Sequence, residues 1–330
     1  MAQSQWILAL AKGIRERSTD FRYETFGNQR VPLPPLAEQT AIVRFLGWAN
    51  GRLDRAIQSK RKVIALLGEQ KQAIIHHVAT RGLNPSVPLK SSGIPWLGEF
   101  PAHWDLAPLR ALFSEINDRG HEDEPMLSVT IKRGVLPQAE LLQNGVARDS
   151  SNEDKSNYKF LLPGDVGYNK MRAWQGAFGV SRHRGIVSPA YIVMRPTVRA
   201  DGDYYHFLFR TPAFSKVAES YSYGIASDMW SLRPEHFRLI VVPVPPKSEQ
   251  SAIGVRLHGV SEDFNTAINA LEQEILLLRE YRTRLVADVV TGKLDVREAA
   301  ARVPLDVPLD AAADTDLSEA PEMADEEAAE

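Results

Sequence analysis

The sequence predicts a mixed α/β domain joined to two long helices that pack along apolar seams, with a disordered acidic tail behind them. Three observations carry this. A proline-rich phrase occurs twice, VPLPPLAEQTAI at 31–42 and VPVPPKSEQSAI at 242–253. An apolar spacing of threes and fours follows each phrase. Between them, from Ser91 onward, the composition turns to glycine, proline, tryptophan and short apolar runs.

Overlaying residues 31–84 on 242–295 without a gap matches 18 of 54 positions, far more than composition gives, so the chain contains an internal repeat. The same offset extends upstream: Gly13-Ile14 falls on Gly224-Ile225, Arg22 on Arg233, Glu24 on Glu235 and Phe26 on Phe237. A long variable region, roughly 101–223, precedes this segment in the second copy, and only a dozen residues stand before Gly13 in the first. Two histories fit: a first domain that lost its front, or a small segment duplicated without that region. Residues 1–30 read as the last elements of a domain with nothing to pack against, so a remnant over 1–36 is expected.

Prolines 32, 34 and 35 fix φ and lack a backbone donor, so the phrase is neither helix interior nor central strand. Pro35 and Pro246 suit a first helical turn, and Glu38 or Glu249 favours the positive helix end. The first seam runs Ile42, Leu46, Ala49, Leu53, Ile57, Lys60, Ile64, Leu67, Lys71, Ile74, Val78. The second runs Ile253, Leu257, Val260, Phe264, Ile268, Leu271, Ile275, Leu278, Arg282, Leu285, Val289. A rod of about 55 Å is marginal alone, and the simplest partner for each is the other. Lysines 60 and 71 in the seam specify register rather than add stability. Gly82 and Gly292 stand where left-handed caps belong. The sequence offers no physical reason for a glutamine after the glutamate in both copies. Residues 38–84 carry eight Lys or Arg against three acids, a basic face open to three readings: DNA backbone, an acidic partner, or water.

The stretch SSGIPWLGEFPAHWDLAPL is a lead-in loop in which Trp104 should be buried with its indole N–H bonded to backbone. Strands are expected around 126–131, 165–168, 177–180, 190–194 and 239–244, with a helix near 204–220. The intervening loops carry Lys132-Arg133, Lys170-Met171-Arg172-Ala173-Trp174-Gln175, Arg182, Arg184 and Tyr223. Cations mixed with aromatics and amides suit phosphates and base edges. Acidic and basic residues nearly balance across this domain, so an ordinary solvated surface stays an alternative.

Zero cysteines removes disulfides and thiol chemistry and fits a reducing, cytoplasmic setting. No stretch is apolar enough for a membrane span, and no signal pattern opens the chain. The net charge of −3 hides an asymmetry, because residues 295–330 hold 12 acids against Arg297 and Arg302. The body is therefore mildly basic, and the tail reads as disordered, either simply solvated or competing for a basic surface. Phosphate-loop, dinucleotide and HExxH patterns are absent. His76-His77 lacks further ligands, and Asp165, Glu69 and Lys71 make a nuclease-like set only by scatter. No catalytic residue, cofactor or metal site is assigned.

Four stretches together resemble the specificity (S) subunits of type I restriction-modification systems: the paired PLPPLAEQ and PVPPKSEQ with their helices; GIPWLGEFPAHWDLAPLRALF; FLLPGDVGYNKMRAWQGAFGVSRHRGIVSPAY; and GIASDMWSLRPEHFRLIVVPVPP. The resemblance implies a target-recognition domain at 101–241, spacer helices at 37–84 and 242–294 packed antiparallel as a coiled coil, a linker at 85–100, a remnant first recognition domain at 1–36 and a tail at 295–330. It implies a non-catalytic reader of double-stranded DNA that docks modification subunits through its helices and meets the restriction subunit through the complex. Self-dimerisation would supply a second reader. Pro101, Trp104, Gly164, Asp165, Asn169, Lys170, Ser188, Pro189 and Tyr191 would belong to the domain scaffold. The DNA-contact set is Lys132, Arg133, Lys170, Arg172, Trp174, Gln175, Arg182, Arg184 and Tyr223. A coiled-coil scaffold or inhibitory half-subunit without DNA specificity, and a nuclease, are the alternatives.

Overall fold

The computed structural model describes residues 23–30, 33–131, 133–143, 154–224 and 230–304. The chain divides into two compact units, residues 1–58 with 275–315, and residues 59–274 with 316–330.

Two helices contribute to both units, α2 (Leu36–Arg81) and α7 (Lys247–Val290). Each starts directly after a proline whose carbonyl takes the first helical bonds: Pro35 O accepts from Glu38 and Gln39 at 2.9 and 3.0 Å, and Pro246 O from Glu249 and Gln250 at 2.9 Å each. The repeated glutamine now has a physical role. Gln39 Nε2 donates to Pro34 O and Gln250 Nε2 to Pro245 O, both at 2.8 Å, so each side chain ties the first turn back to the proline phrase. Gly82 and Gly292 follow the helix ends at φ 78° and 74°, the left-handed caps expected. Upstream, the short α1 (Tyr23–Gly27) occupies positions equivalent by the offset to α6 (Pro234–Phe237).

In the unit of residues 1–58 and 275–315, Ala49, Leu285 and Val289 form an apolar cluster with Ile42, Phe45, Leu46 and Trp48, and Arg282 pairs with Asp54. Val296 joins them, and α8 (Arg297–Ala301) follows with Ala300 and Val303 also buried. The expectation of a disordered tail from 295 is therefore corrected. Residues 296, 300 and 303 have helical spacing and an apolar surface to cover, so chain order extends to 304; the rest of the expected tail lies outside the described residues.

In the unit of residues 59–274, α2 and α7 again run antiparallel. Lys60 pairs with Glu274, and Lys71 Nζ donates to Asn265 Oδ1 at 2.8 Å. No predicted seam residue on either helix is exposed, so the three-four spacing holds throughout. Ile75 and Ala79, outside that seam, are the more deeply buried near the end of α2, because a mixed domain packs there.

That domain contains an antiparallel sheet in the order β4 (Phe113–Ile116), β11 (Tyr191–Pro196), β8 (Val166–Asn169), β9 (Phe178–Val180). Antiparallel pairs surround it: β1 (Leu89–Ser91) with β2 (Glu99–Pro101), β3 (Asp105–Pro108) with β12 (Val241–Val244), β5 (Leu127–Thr130) with β6 (Gly134–Pro137), and β7 (Lys159–Leu161) with β10 (Gly185–Val187). A one-and-a-half-turn α3 (Gln138–Gln143) follows β6. The expected helix over 204–220 is two, α4 (Gly202–Phe209) and α5 (Pro212–Ser220). Pro212 cannot continue α4, and Thr211 Oγ1 caps α5 by accepting from Phe214 N at 3.2 Å.

Phe178, Phe209, Phe214 and Phe237 interlock at centroid distances of 4.7–6.0 Å in the domain core. Trp104 is fully buried as predicted, but its indole N–H goes to a carboxylate, not to backbone: Nε1 donates to Glu249 Oε2 at 3.0 Å. Gly82 lies against the same pair, and a Cβ there would stand 2.9 Å from Glu249 Oε1 and 3.2 Å from the Trp104 ring. The end of α2, the lead-in loop and the start of α7 are thus pinned together.

Candidate nucleic-acid interface

Strand β8 ends in Asn169, whose Oδ1 accepts from Met171 N at 3.0 Å and turns the chain into the loop 170–176. Trp174 Nε1 donates to Met171 O at 3.0 Å, and Gly176, at φ 92°, closes the short helical turn Ala173–Gln175. The loop is fixed from within. Trp174 also packs edge-on against Trp230 at 5.7 Å.

A second chain segment meets the loop from the other side. Leu232 N donates to Lys170 O at 2.8 Å, and Tyr223 and Ser231 bond each other's backbones at 3.0 and 3.2 Å. Lys170, Met171, Tyr223, Ser231, Arg233 and Glu235 border a hollow of about 570 Å³. Tyr223 is 63% exposed. Five predicted contact residues therefore gather on one loop system: Lys170 and Tyr223 at the hollow, Arg172, Trp174 and Gln175 on the turn beside Lys170. Arg233 was not among them. Its signal was available as an identity with Arg22 across the repeat at an exposed position, where core packing explains nothing.

The other predicted contacts are dispersed. Arg184 bonds Glu124 through Nε at 2.9 Å and Nη2 at 2.5 Å and lies over the Phe160 ring at 5.2 Å; the hydrogen bond and charge of Glu124 hold its guanidinium pKa above the usual value. Arg133 pairs with Glu140 at 2.5 Å. Arg182 Nη2 lies 2.8–3.0 Å from the ring nitrogens of His258 on α7. Lys132 lies outside the described residues.

Asp165 is a framework group. It is 2% exposed, accepts from Leu162 N at 3.0 Å, and forms a two-pronged ion pair with Arg195 at 2.8 and 2.7 Å. That leaves it poorly placed for the nuclease-like set. Gly164 beside it has φ 93°, and Tyr191 is buried with its carbonyl accepting from Lys159 Nζ at 2.7 Å. His76 is partly buried, and burial, His77 and Arg81 together lower its pKa. Among the described residues, no three His, Asp or Glu side chains are grouped to hold a metal ion, and no helix is long and apolar enough to cross a membrane.

No family model matches the chain. It is similar to the putative type I restriction enzyme MjaX specificity subunit of Methanocaldococcus jannaschii, 23% identical over 283 residues, covering 81% of this chain and 60% of that protein. It is likewise similar to the MjaVIII specificity subunit of the same organism, 23% identical with 82% and 64% covered, and to the EcoKI specificity subunit of Escherichia coli K12, 22% identical with 60% and 44% covered. All three of these relatives are specificity subunits of type I restriction enzymes. The fold agrees: a solved chain described under complex assembly and conformational transition of the type I R-M system superposes with a TM-score of 0.51 at 18% identity, over 85% of this chain and 66% of that one. The chain spans less than two thirds of the length of the curated relatives it matches.

Proposed function

We propose that the chain is a DNA-reading subunit of a type I restriction-modification complex, and that Lys170, Arg172, Trp174, Gln175 and Tyr223 place its mixed domain on one half of a split target. The observation that carries this is their gathering on one loop system around a hollow. Phosphate contacts by Lys170 and Arg172 set register, and the aromatic and amide side chains meet base edges. Methylation and cleavage belong to separate subunits, the modification subunits docking on α2 and α7 and the restriction subunit joining through the complex; the chain is itself non-catalytic. Lys132, Arg133, Arg182 and Arg184 are secondary contacts in this reading.

Fluorescence anisotropy with target and scrambled duplexes, with modification subunit present, tests it. Affinity should fall steeply with salt, Lys170→Gln should shallow the log–log slope by about 0.9, and Gln175→Ala should narrow the gap between target and scrambled DNA. Equal affinity for both duplexes at every salt concentration would leave only the scaffold reading.

A self-dimer is favoured by one further observation. Leu33 and Leu36 are 84% and 78% exposed, whereas Val244, the residue equivalent to Leu33, is buried against β3. A second copy would cover them, and mass measurement of the full chain with and without modification subunit checks this.

A further inference from the structure

Away from the reading loop, the unit of residues 59–274 holds a larger cavity of about 780 Å³, bounded by α2 and α7 on one side and by β6, β9 and α4 on the other. Lys71, Arg133, Arg182, His206, Arg210 and His258 line it, and Glu262 is the single acid among its described lining residues. Two further carboxylates reach the rim: Glu140, paired with Arg133, and Asp203, whose Oδ1 lies 3.1 Å from His258 Nε2. Four permanent cations thus face a space whose acids do not balance them.

Two of these cations bond neutral acceptors. Lys71 Nζ donates to Asn265 Oδ1 at 2.8 Å, and Arg210 Nη1 donates to Phe178 O at 2.8 Å and Thr130 O at 3.4 Å. Burial and the Arg210 charge lower the pKa of Lys71, a cost that an entering anion would relieve. His206 accepts from Val180 N at 3.2 Å through Nδ1, which puts its own proton on Nε2. Burial, then Arg210 and His258, depress it to about 3, so it lines the cavity as an uncharged donor. Gly134 contributes by having no side chain, since a Cβ there would stand 3.2 Å from His206 and 3.4 Å from Arg210.

We propose that this cavity binds a phosphate group, held by Lys71, Arg182 and Arg210 with His206 as a neutral donor. Its volume is in the range of sites that take whole small molecules, and fixed cations in a recess with low-dielectric walls concentrate anions. The phosphate comes either from the backbone of duplex DNA or from a free phosphorylated compound. The first source rests on the DNA-reading function proposed above; the second does not.

The full chain is titrated calorimetrically with inorganic phosphate and with tripolyphosphate, and duplex binding is followed across a salt series, for the wild type, Lys71→Gln, Lys71→Arg and Arg182→Gln. Circular dichroism confirms folding. Lys71→Gln should weaken phosphate binding by roughly tenfold, the loss of one charge-assisted hydrogen bond, and Lys71→Arg should restore most of it. If DNA is the source, Lys71→Gln also shallows the salt slope by about 0.9 while target preference stays. If a free compound is the source, that slope is unchanged and the phosphate titrations still respond to the variants. No binding of either phosphate, together with duplex slopes identical in wild type and both neutral variants, overturns the proposal. Loss of all DNA binding with intact phosphate binding sinks the reading function alone.

Discussion

Gln39 and Gln250 make the same bond to the same proline carbonyl of the repeated phrase, and from there their surroundings part. Gln250 is fully buried and also donates to Arg199 O at 2.9 Å and accepts from Asp201 N at 2.7 Å, while Gln39 is half-buried with its described bond to Pro34 O. Glu249 accepts the indole N–H hydrogen bond of Trp104 and lies 2.8 Å from His103, while the charge of Glu38 acts on the exposed Arg297. Val244 sits in a β-ladder where Leu33 meets solvent. One phrase therefore writes one local structure twice, and what differs is what each copy is given to pack against. Local sequence starts the helix; tertiary partners decide how much that start is worth.

This contrast can be tested from its strongest contact downward. Trp104→Ala empties a fully buried site beside Glu249 and should cost about 3–5 kcal/mol in urea unfolding. Gln250→Ala leaves the buried Pro245 carbonyl, the Arg199 carbonyl and the Asp201 N–H without their partner and should cost about 3 kcal/mol, against about 1 kcal/mol or less for Gln39→Ala. Equal losses for the two glutamines would show that the shared bond, and not its setting, matters. Val244→Ala should lower stability by about 2 kcal/mol and Leu33→Ala by under about 0.5, read as shifts in thermal midpoint; a large effect at Leu33 would indicate a covered surface, as in a dimer. Smallest is the seam pair. Lys60→Glu should cost about 1 kcal/mol or less, and adding Glu274→Lys should return it in a double-mutant cycle.

The long helices were legible because their signals are local and redundant: prolines before Leu36 and Lys247, a seam of eleven positions that is apolar but for Lys60, Lys71 and Arg282, a glycine after each end. The strands were legible only in part. β5, β8, β9, β11 and β12 announced themselves as short apolar runs, while β1, β2, β7 and β10 are three residues long, too short for a period of two to register. The role of Gln250 depends on the Arg199 carbonyl and the Asp201 N–H, 51 and 49 residues away, which no local pattern announces. In the candidate interface, Lys170 to Gln175 could be found because one loop holds them all. Arg184 looked equally available, and its ion-pair partner Glu124, 60 positions upstream, is not announced by any local pattern. The order around Val296, Ala300 and Val303 was hidden by the acidic composition of everything after it.

The contact among Gly82, Trp104 and Glu249 has a consequence for how such chains change over generations. It brings the point where the mixed domain leaves α2 against the point where it rejoins α7, so the domain's two chain connections lie side by side, like the two ends of a cassette in a slot. Recombination within the flanking repeats could exchange everything between those points while the helices kept their register. The requirement on any incoming domain would be modest: an indole to meet the glutamate, and a glycine where the first helix stops.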